Sequence, residues 1–146
     1  MDNRFKFRVW DVYFEEMREI DLLAVSVPGF EAVKYLDDLG STLISLSTPL
    51  PNTMTRLMQC TGSTDINEKL IYEGDILERQ KSAFYSHKTI FEVVWNYDRY
   101  CLKQDGVWEA LSSNLINNYF KIIGNIYENP ELIITNNELQ GEKNEI

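Results

Sequence analysis

The sequence lacks the features that would place it in a membrane, in a secreted scaffold or on duplex DNA. No apolar run approaches the roughly 18 residues of a membrane-spanning helix, and the charged N-terminus has no signal-peptide core. Its two cysteines, Cys60 and Cys101, form no CxxC pair and are expected to be reduced thiols at strand positions. The net charge of −9 comes without a cluster of Lys and Arg, so generic duplex DNA binding is not expected. We therefore predict a cytoplasmic protein.

Groups that carry catalysis are equally sparse. His87 is the only histidine, and no GxSxG motif supplies a serine nucleophile. Neither cysteine stands at a zinc-ligand spacing from another ligand. We predict no catalytic, cofactor-binding or metal-binding residue. A hydrolase or metal enzyme would need Glu73, Asp75, His87 and a cysteine to cluster in one pocket, and we favour this hypothesis less than the two binding functions given below.

The length of 146 residues and an aromatic content of 12% fit one mainly-β domain. The predicted domain covers residues 1–132, with an N-terminal layer at 1–48 and a barrel-containing core at 53–132. A proline-containing loop at Ser47–Asn52 separates these parts. A polar, acidic tail follows at 133–146, with a docked C-terminal helix as the alternative.

In the N-terminal layer, alternating side chains predict a strand at Phe5–Trp10 that is ended by Asp11. Composition adds a possible returning hairpin arm at Val12–Ile20, a β-favouring apolar run at Leu22–Val27 and a possible strand at Leu43–Leu46. The segment Phe30–Leu39 differs, because Phe30, Val33 and Leu36 recur at a spacing of three. With Gly40 at the position of a C-cap, this spacing predicts a short helix. The competing interpretation is a strand-rich loop, because the segment is long enough for only about three helical turns.

The core is predicted to consist of strands joined by glycine turns. The strands are Arg56–Thr61 ended by Gly62, Leu70–Tyr72, Ile76–Leu77, Thr89–Tyr97, Tyr100–Lys103, Val107–Leu111 and Phe120–Tyr127. The turn at Asp98-Arg99 and the stronger hairpin signal at Asp105-Gly106 separate three of them. Ser112 or Ser113 is expected to cap a helical turn that runs to Asn118.

Four segments occur in a characteristic order: FKFRVWD at Phe5–Asp11, LMQCTG at Leu57–Gly62, IYEGDIL at Ile71–Leu77 and IIGNIYENPEL at Ile122–Leu132. Together they resemble the YopX family of phage and prophage proteins. The resemblance implies a phage or prophage origin, most often in Gram-positive hosts. It also implies a mainly-β fold with a small Src-homology-3-like barrel. It carries over neither a mechanism nor a catalytic residue.

The sequence departs from the family where an Asn-Gly pair usually separates the second and third segments. Here Glu68 follows Asn67, and because Glu tolerates a positive φ poorly, we expect a longer loop. We interpret Glu73-Gly74-Asp75 as a structural turn, in which Asp75 accepts a hydrogen bond from a nearby backbone amide, rather than as a metal or acid–base site. The residues assigned to structural turns are Gly62, Gly74, Asp75, Asp105 and Gly106.

Aromatic residues raise a binding hypothesis. Trp95 is expected in the core, whereas the candidate interaction surface consists of Trp10, Trp108, Tyr97 and Tyr100. We predict a non-enzymatic accessory protein that binds an unidentified protein partner, with homo-oligomerisation through strand edges as one form of contact. The alternative is a nucleic-acid-associated module that uses the barrel aromatics.

Overall fold

The computed structural model describes residues 6–12, 15–19, 22–27, 30–37, 40–45 and 56–133, and most of them lie in antiparallel β-strands. They form two compact units, which divide between Gln59 and Cys60. The predicted boundary loop at Ser47–Asn52 and the tail residues 134–146 lie outside the described residues. Within the described ranges, no helix is long and apolar enough to cross a membrane.

The first unit begins with the predicted hairpin. Strand β1 (Phe7–Asp11) pairs with β2 (Glu16–Glu19) on one side and with the beginning of β6 (Arg56–Thr64) on the other. Side chains alternate with a period of two, because Val9 and Asp11 are buried while Arg8 and Trp10 are partly exposed. The predicted strand and its returning arm are therefore confirmed.

The other strands of this unit are β3 (Leu22–Val27), β4 (Phe30–Asp37) and β5 (Gly40–Ser45), paired in the order β3-β4-β5. The helix predicted over Phe30–Leu39 is therefore wrong. An isolated helix of this length is marginal, whereas pairing with a neighbour on each side gives the backbone groups of β4 partners. The β-favouring side chains of Val33 and Tyr35 agree with that outcome. Gly40 begins β5 and is not a helix cap.

The second unit is built on five antiparallel strands in the order β11-β10-β9-β8-β12. Its elements are β7 (Leu70–Tyr72), β8 (Asp75–Arg79), β9 (Thr89–Asn96), β10 (Arg99–Gln104), β11 (Val107–Ala110), α1 (Ser113–Tyr119) and β12 (Phe120–Asn125). The buried core of this unit consists of Ile71, Leu77, Phe91, Val93, Leu102, Ile116 and Phe120. Cys60 and Cys101 are buried free thiols, as predicted.

Strand β6 does not end at Gly62 as predicted. It continues to Thr64, and the register with β7 shifts between Cys60 and Thr64. Gly62 has a φ of 85°, which a side chain at this position would resist. The glycine therefore makes a bulge inside the strand instead of a turn at its end.

Thr64 and Leu70 pair across a five-residue loop, in agreement with the longer loop expected at this point. Its first residue, Asp65, is 2% exposed and organises the loop. Asp65 Oδ1 accepts hydrogen bonds from the Asn67 and Lys69 amides at 2.9 and 3.0 Å. Asp65 Oδ2 accepts another from the Ile122 amide on β12 at 3.0 Å. One carboxylate therefore ties this loop to the edge of the sheet.

Glycine also appears at two other turns of the unit. Gly74 has a φ of 84°, and Asp75 Oδ2 accepts a hydrogen bond from the Tyr72 amide at 2.8 Å. Asp105 and Gly106, with φ of 47° and 79°, form the two-residue connection between β10 and β11. Positive φ at both positions is typical of a type I′ hairpin.

The connection between β9 and β10 is one residue earlier than predicted. It consists of Tyr97 and Asp98, because Asn96 pairs with Arg99 and Arg99 already belongs to β10. The predicted helical turn is confirmed as α1, with Ser112 at the N-cap position but without a side-chain capping bond.

We predict that Asp65→Ala lowers the free energy of unfolding by about 3 kcal/mol, because three amides lose a charged acceptor in a buried position. Chemical denaturation measures the loss. The matched control is Glu128→Ala, since Glu128 is exposed and its side chain is the acceptor in none of these bonds. Equal stability of the two variants would show that the carboxylate does not hold the loop.

Candidate interaction edge

The two edge strands of the five-stranded sheet differ in whether their outward-facing backbone N–H and C=O groups have hydrogen-bond partners. The edge at β12 is covered by the chain itself, since the Ile66 amide donates to the Phe120 carbonyl at 2.9 Å and the Ile122 amide donates to Asp65. On β11 the outer edge has no backbone hydrogen bond to any residue that the structure describes. The sheet thus presents an open edge at β11.

The hydrogen-bond alternation of an antiparallel pair shows which groups of β11 point outward. The Leu111 amide, just beyond the strand, donates to the Tyr100 carbonyl of the β10 side at 3.1 Å. Inward and outward positions alternate along an antiparallel strand, so Ala110 and Trp108 direct their N–H and C=O groups away from β10. These groups are available to another strand.

All four residues of β11 are exposed. Val107 is 61% exposed and Trp108 is 45% exposed, although both are apolar. Proteins usually protect such an edge with charges, proline or a covering segment. The strand therefore combines open backbone groups with apolar side chains, which favours contact with another chain.

Side chains on β11 alternate between the two faces of the sheet. We call the face that carries Val93 and Leu102 the core face, and the opposite one the outer face. Glu109 pairs with Leu102 and therefore lies on the core face, as does Val107 two residues before it. Trp108 lies on the outer face with Ala110.

An ion pair links β11 to the distant strand β8. Arg79 Nη1 lies 3.8 Å from Glu109 Oε2. Strands three positions apart in a sheet are roughly 14 Å from each other, a distance that an arginine and a glutamate side chain span together when both lie extended across one face. The Arg79 guanidinium lies over the rings of Tyr85 at 4.2 Å and Phe91 at 5.2 Å, which fixes its position.

The outer face has a groove of about 200 Å³ beside the β10–β11 turn. It is lined by Ile90, Glu92, Lys103, Gln104, Asp105, Gly106 and Ile133. Burial raises the pKa of Glu92, while Lys103 on the paired strand acts in the opposite direction. Lys103 Nζ also lies 5.2 Å from the centroid of the Trp108 ring.

The four aromatic residues predicted as an interaction surface do not lie together. Tyr97 is 95% exposed at the β9–β10 turn, where its φ of 57° is unfavourable for a bulky residue. Tyr100 packs against the core, and Trp108 lies on the outer face. Trp10 belongs to β1 of the first unit and is partly buried. Among them, only Trp108 belongs to the open edge.

Trp95 is not a core residue as predicted, since it is 51% exposed. It shares the core face with Phe91 and Val93, which are buried, but it lies near the end of β9, beyond the packed residues. Its ring meets Tyr100 edge to face, with 4.8 Å between centroids. Burial, together with the charges of Glu73 and Cys60, raises the pKa of Tyr100 to about 12.

The residues considered for catalysis are not assembled into a site. His87 is exposed in the loop between β8 and β9, whereas Cys60 and Cys101 are buried. Asp75 is buried and accepts the Tyr72 amide. Within the described part of the chain, no three His, Cys, Asp or Glu residues are grouped so that they could hold a metal ion.

These observations define a small mainly-β protein of antiparallel sheets with a half-barrel and an open edge strand. The YopX protein family matches residues 6–134, and the chain therefore belongs to the YopX family. Among solved structures, protein EF1440 from Enterococcus faecalis is 29% identical, with a TM-score of 0.60 over 88% of this chain and 96% of that one. Protein yopX from Bacillus subtilis is 22% identical, with a TM-score of 0.62 over 89% and 96%, and it supports the fold alone. None of the curated proteins matches the chain.

We predict that Trp95→Ala costs about 1–2 kcal/mol of unfolding free energy, because the ring is half exposed and loses mainly its contact with Tyr100. The reference variant is Phe91→Ala, which removes a ring that is 2% exposed and should cost about 3–5 kcal/mol. Urea denaturation compares the two. A Trp95 variant that loses as much stability as the Phe91 variant would contradict the peripheral placement.

We also predict that Glu92→Gln raises the melting temperature at pH 7. Burial raises the pKa of Glu92 in the folded state above its ordinary value of 4.5, so stability is lost as the pH rises through that interval. The neutral amide escapes this loss, and its advantage should shrink as the pH falls toward 4. Melting curves of both proteins between these pH values test the sign. Glu128→Gln, at an exposed position, is the matched control for replacing a carboxylate by an amide. A gain of the same size in both variants at pH 7 would contradict the role of burial at Glu92.

Proposed function

We propose that this protein is a non-enzymatic phage or prophage accessory protein that binds a partner protein by adding an extended segment of that partner to β11. The observation that carries the proposal is the contrast between the two edges of one sheet. The protein closes the β12 edge with its own loop and with Asp65, but it leaves the β11 edge open within the described residues. Strand addition gives affinity through backbone hydrogen bonds and specificity through alternate side chains.

The phage or prophage origin in this proposal rests on membership of the YopX family. We further propose that the half-barrel corresponds to the small Src-homology-3-like barrel that the family resemblance implies. Five antiparallel strands in one sheet, with a common buried core, support that correspondence.

The nucleic-acid alternative has one observation in its favour, which is the strongly exposed and strained Tyr97 beside the half-exposed Trp95. Bases stack on such rings, but the site also needs positive charge along the phosphates. Around this turn, Arg99 is paired with Asp98, and Glu73 interacts electrostatically with Tyr100. Strand addition is therefore the better supported function.

The experiment blocks the outward backbone group without breaking the hairpin. Ala110→Pro removes an amide that points away from β10, and it keeps the bond from the Leu111 amide to Tyr100. Ala110→Val retains the amide and serves as the matched control. Both variants and the wild type are used as bait in lysogenic or infected cells. Amide hydrogen exchange of each captured complex is measured at Trp108 and, in the wild type and Ala110→Val, also at position 110.

We expect the wild type and Ala110→Val to retain the same partner and to show slowed exchange at both amides, while Ala110→Pro loses the partner. Light scattering separates a foreign partner from a second copy, because a dimer that Ala110→Pro abolishes would place a copy of this chain on the edge. A folded Ala110→Pro protein that binds the partner unchanged would overturn the proposal.

A further inference from the structure

We infer that the segment bound at β11 carries a Lys or Arg directly opposite Glu109, so that Glu109 determines which partner sequence is accepted. This inference rests on the proposed strand addition. Its basis is the placement of Glu109, whose side chain is 48% exposed and stands on the core face at the open edge. No other residue of β11 is charged.

The hydrogen-bond alternation places Glu109 at the position of closest side-chain approach. Because Trp108 and Ala110 direct their backbone groups outward, they would form the hydrogen-bonded pairs with an added strand. Glu109 would then form a pair without backbone hydrogen bonds, in which side chains on the two strands lie nearest to each other. An opposite charge at that position stabilises the pairing, and a like charge destabilises it.

Arg79 lies close to the Glu109 carboxylate but leaves its oxygens able to accept further hydrogen bonds. The distance of 3.8 Å from Nη1 to Oε2 exceeds hydrogen-bond length, so the carboxylate oxygens retain the capacity to accept bonds from a second cation. The rings of Tyr85 and Phe91 hold the guanidinium beneath the edge. The carboxylate can therefore bridge Arg79 and a basic side chain of the partner.

A second copy of this chain does not meet the requirement. In an antiparallel addition of β11 to itself that preserves the faces, the residue opposite Glu109 is Glu109 of the other copy, or the apolar Val107 or Leu111. None of them supplies a cation, and each copy carries a net charge of −9. Charge complementarity thus favours a segment of a different, locally basic protein.

The other positions of the strand complete a recognition pattern. A residue opposite Trp108 would face an indole on the outer face, and one opposite Val107 would face an exposed apolar side chain on the core face. An antiparallel partner segment would therefore contain, from its N-terminal end, a basic residue opposite Glu109, an aromatic or aliphatic residue opposite Trp108, and a β-branched residue opposite Val107. These preferences follow from cross-strand pairing.

The test uses synthetic extended peptides with this pattern that differ only in having Lys, Gln or Glu opposite Glu109. They are titrated into the full-length protein, and the dissociation constant is taken from amide shifts of Trp108 and Ala110 in NMR spectra. We expect the Lys peptide to bind the wild type about three- to tenfold more tightly than the Glu peptide, with a smaller ratio at high salt.

Two variants test whether Glu109 causes the preference for the Lys peptide. In Glu109→Gln the ratio between the Lys and Glu peptides should fall to near one, and in Glu109→Lys it should reverse. If the peptides bind with slowed exchange at Ala110 but the ratio is the same in all three proteins, this inference fails and strand addition survives. If no peptide perturbs the Trp108 and Ala110 amides, strand addition itself fails, and the inference falls with it.

Discussion

The Asp65 carboxylate is the constraint on which the second unit depends, because it joins parts of the chain that are far apart in sequence. A buried acceptor with three backbone donors shapes the loop after β6 and anchors it to β12. The neighbouring Ile66 amide then reaches the Phe120 carbonyl. One edge of the sheet is thereby closed from within, and the asymmetry between the two edges follows from this acidic residue.

The same carboxylate explains how the loop accommodates Glu68, at a position where the family resemblance led us to expect glycine. Glu68 adopts a φ of 62°, a conformation that costs a side-chain-bearing residue roughly 1–2 kcal/mol. The residues on either side, Asn67 and Lys69, both donate to Asp65 Oδ1. Hydrogen bonds to a charged acceptor contribute about 1.5–3 kcal/mol each. The two bonds to Asp65 together therefore outweigh the backbone strain at Glu68. The expected longer loop and the positive φ therefore coexist.

Sequence patterns predicted the elements whose signals are local. Asp105-Gly106 located the hairpin, because positive φ at two successive residues strongly favours those residue types. The failures concern information that lies elsewhere in the chain. Whether Phe30–Asp37 pairs with strands on both sides depends on its neighbours, and whether Trp95 is covered depends on how far the core extends beyond Val93. The open edge had no local signal, since sheet order places β11 at the border.

An open edge is a hazard unless something limits what can pair with it, and this chain has two such limits. Strand β11 is only four residues long, so backbone hydrogen bonds alone give a weak attachment. Glu109 adds a negative charge beside Arg79 at the edge, and the net charge of −9 on each chain opposes the approach of a second copy. Both features disfavour self-association without covering the strand. Selectivity for a foreign, basic segment would then arise from the same charges that keep the edge from aggregating.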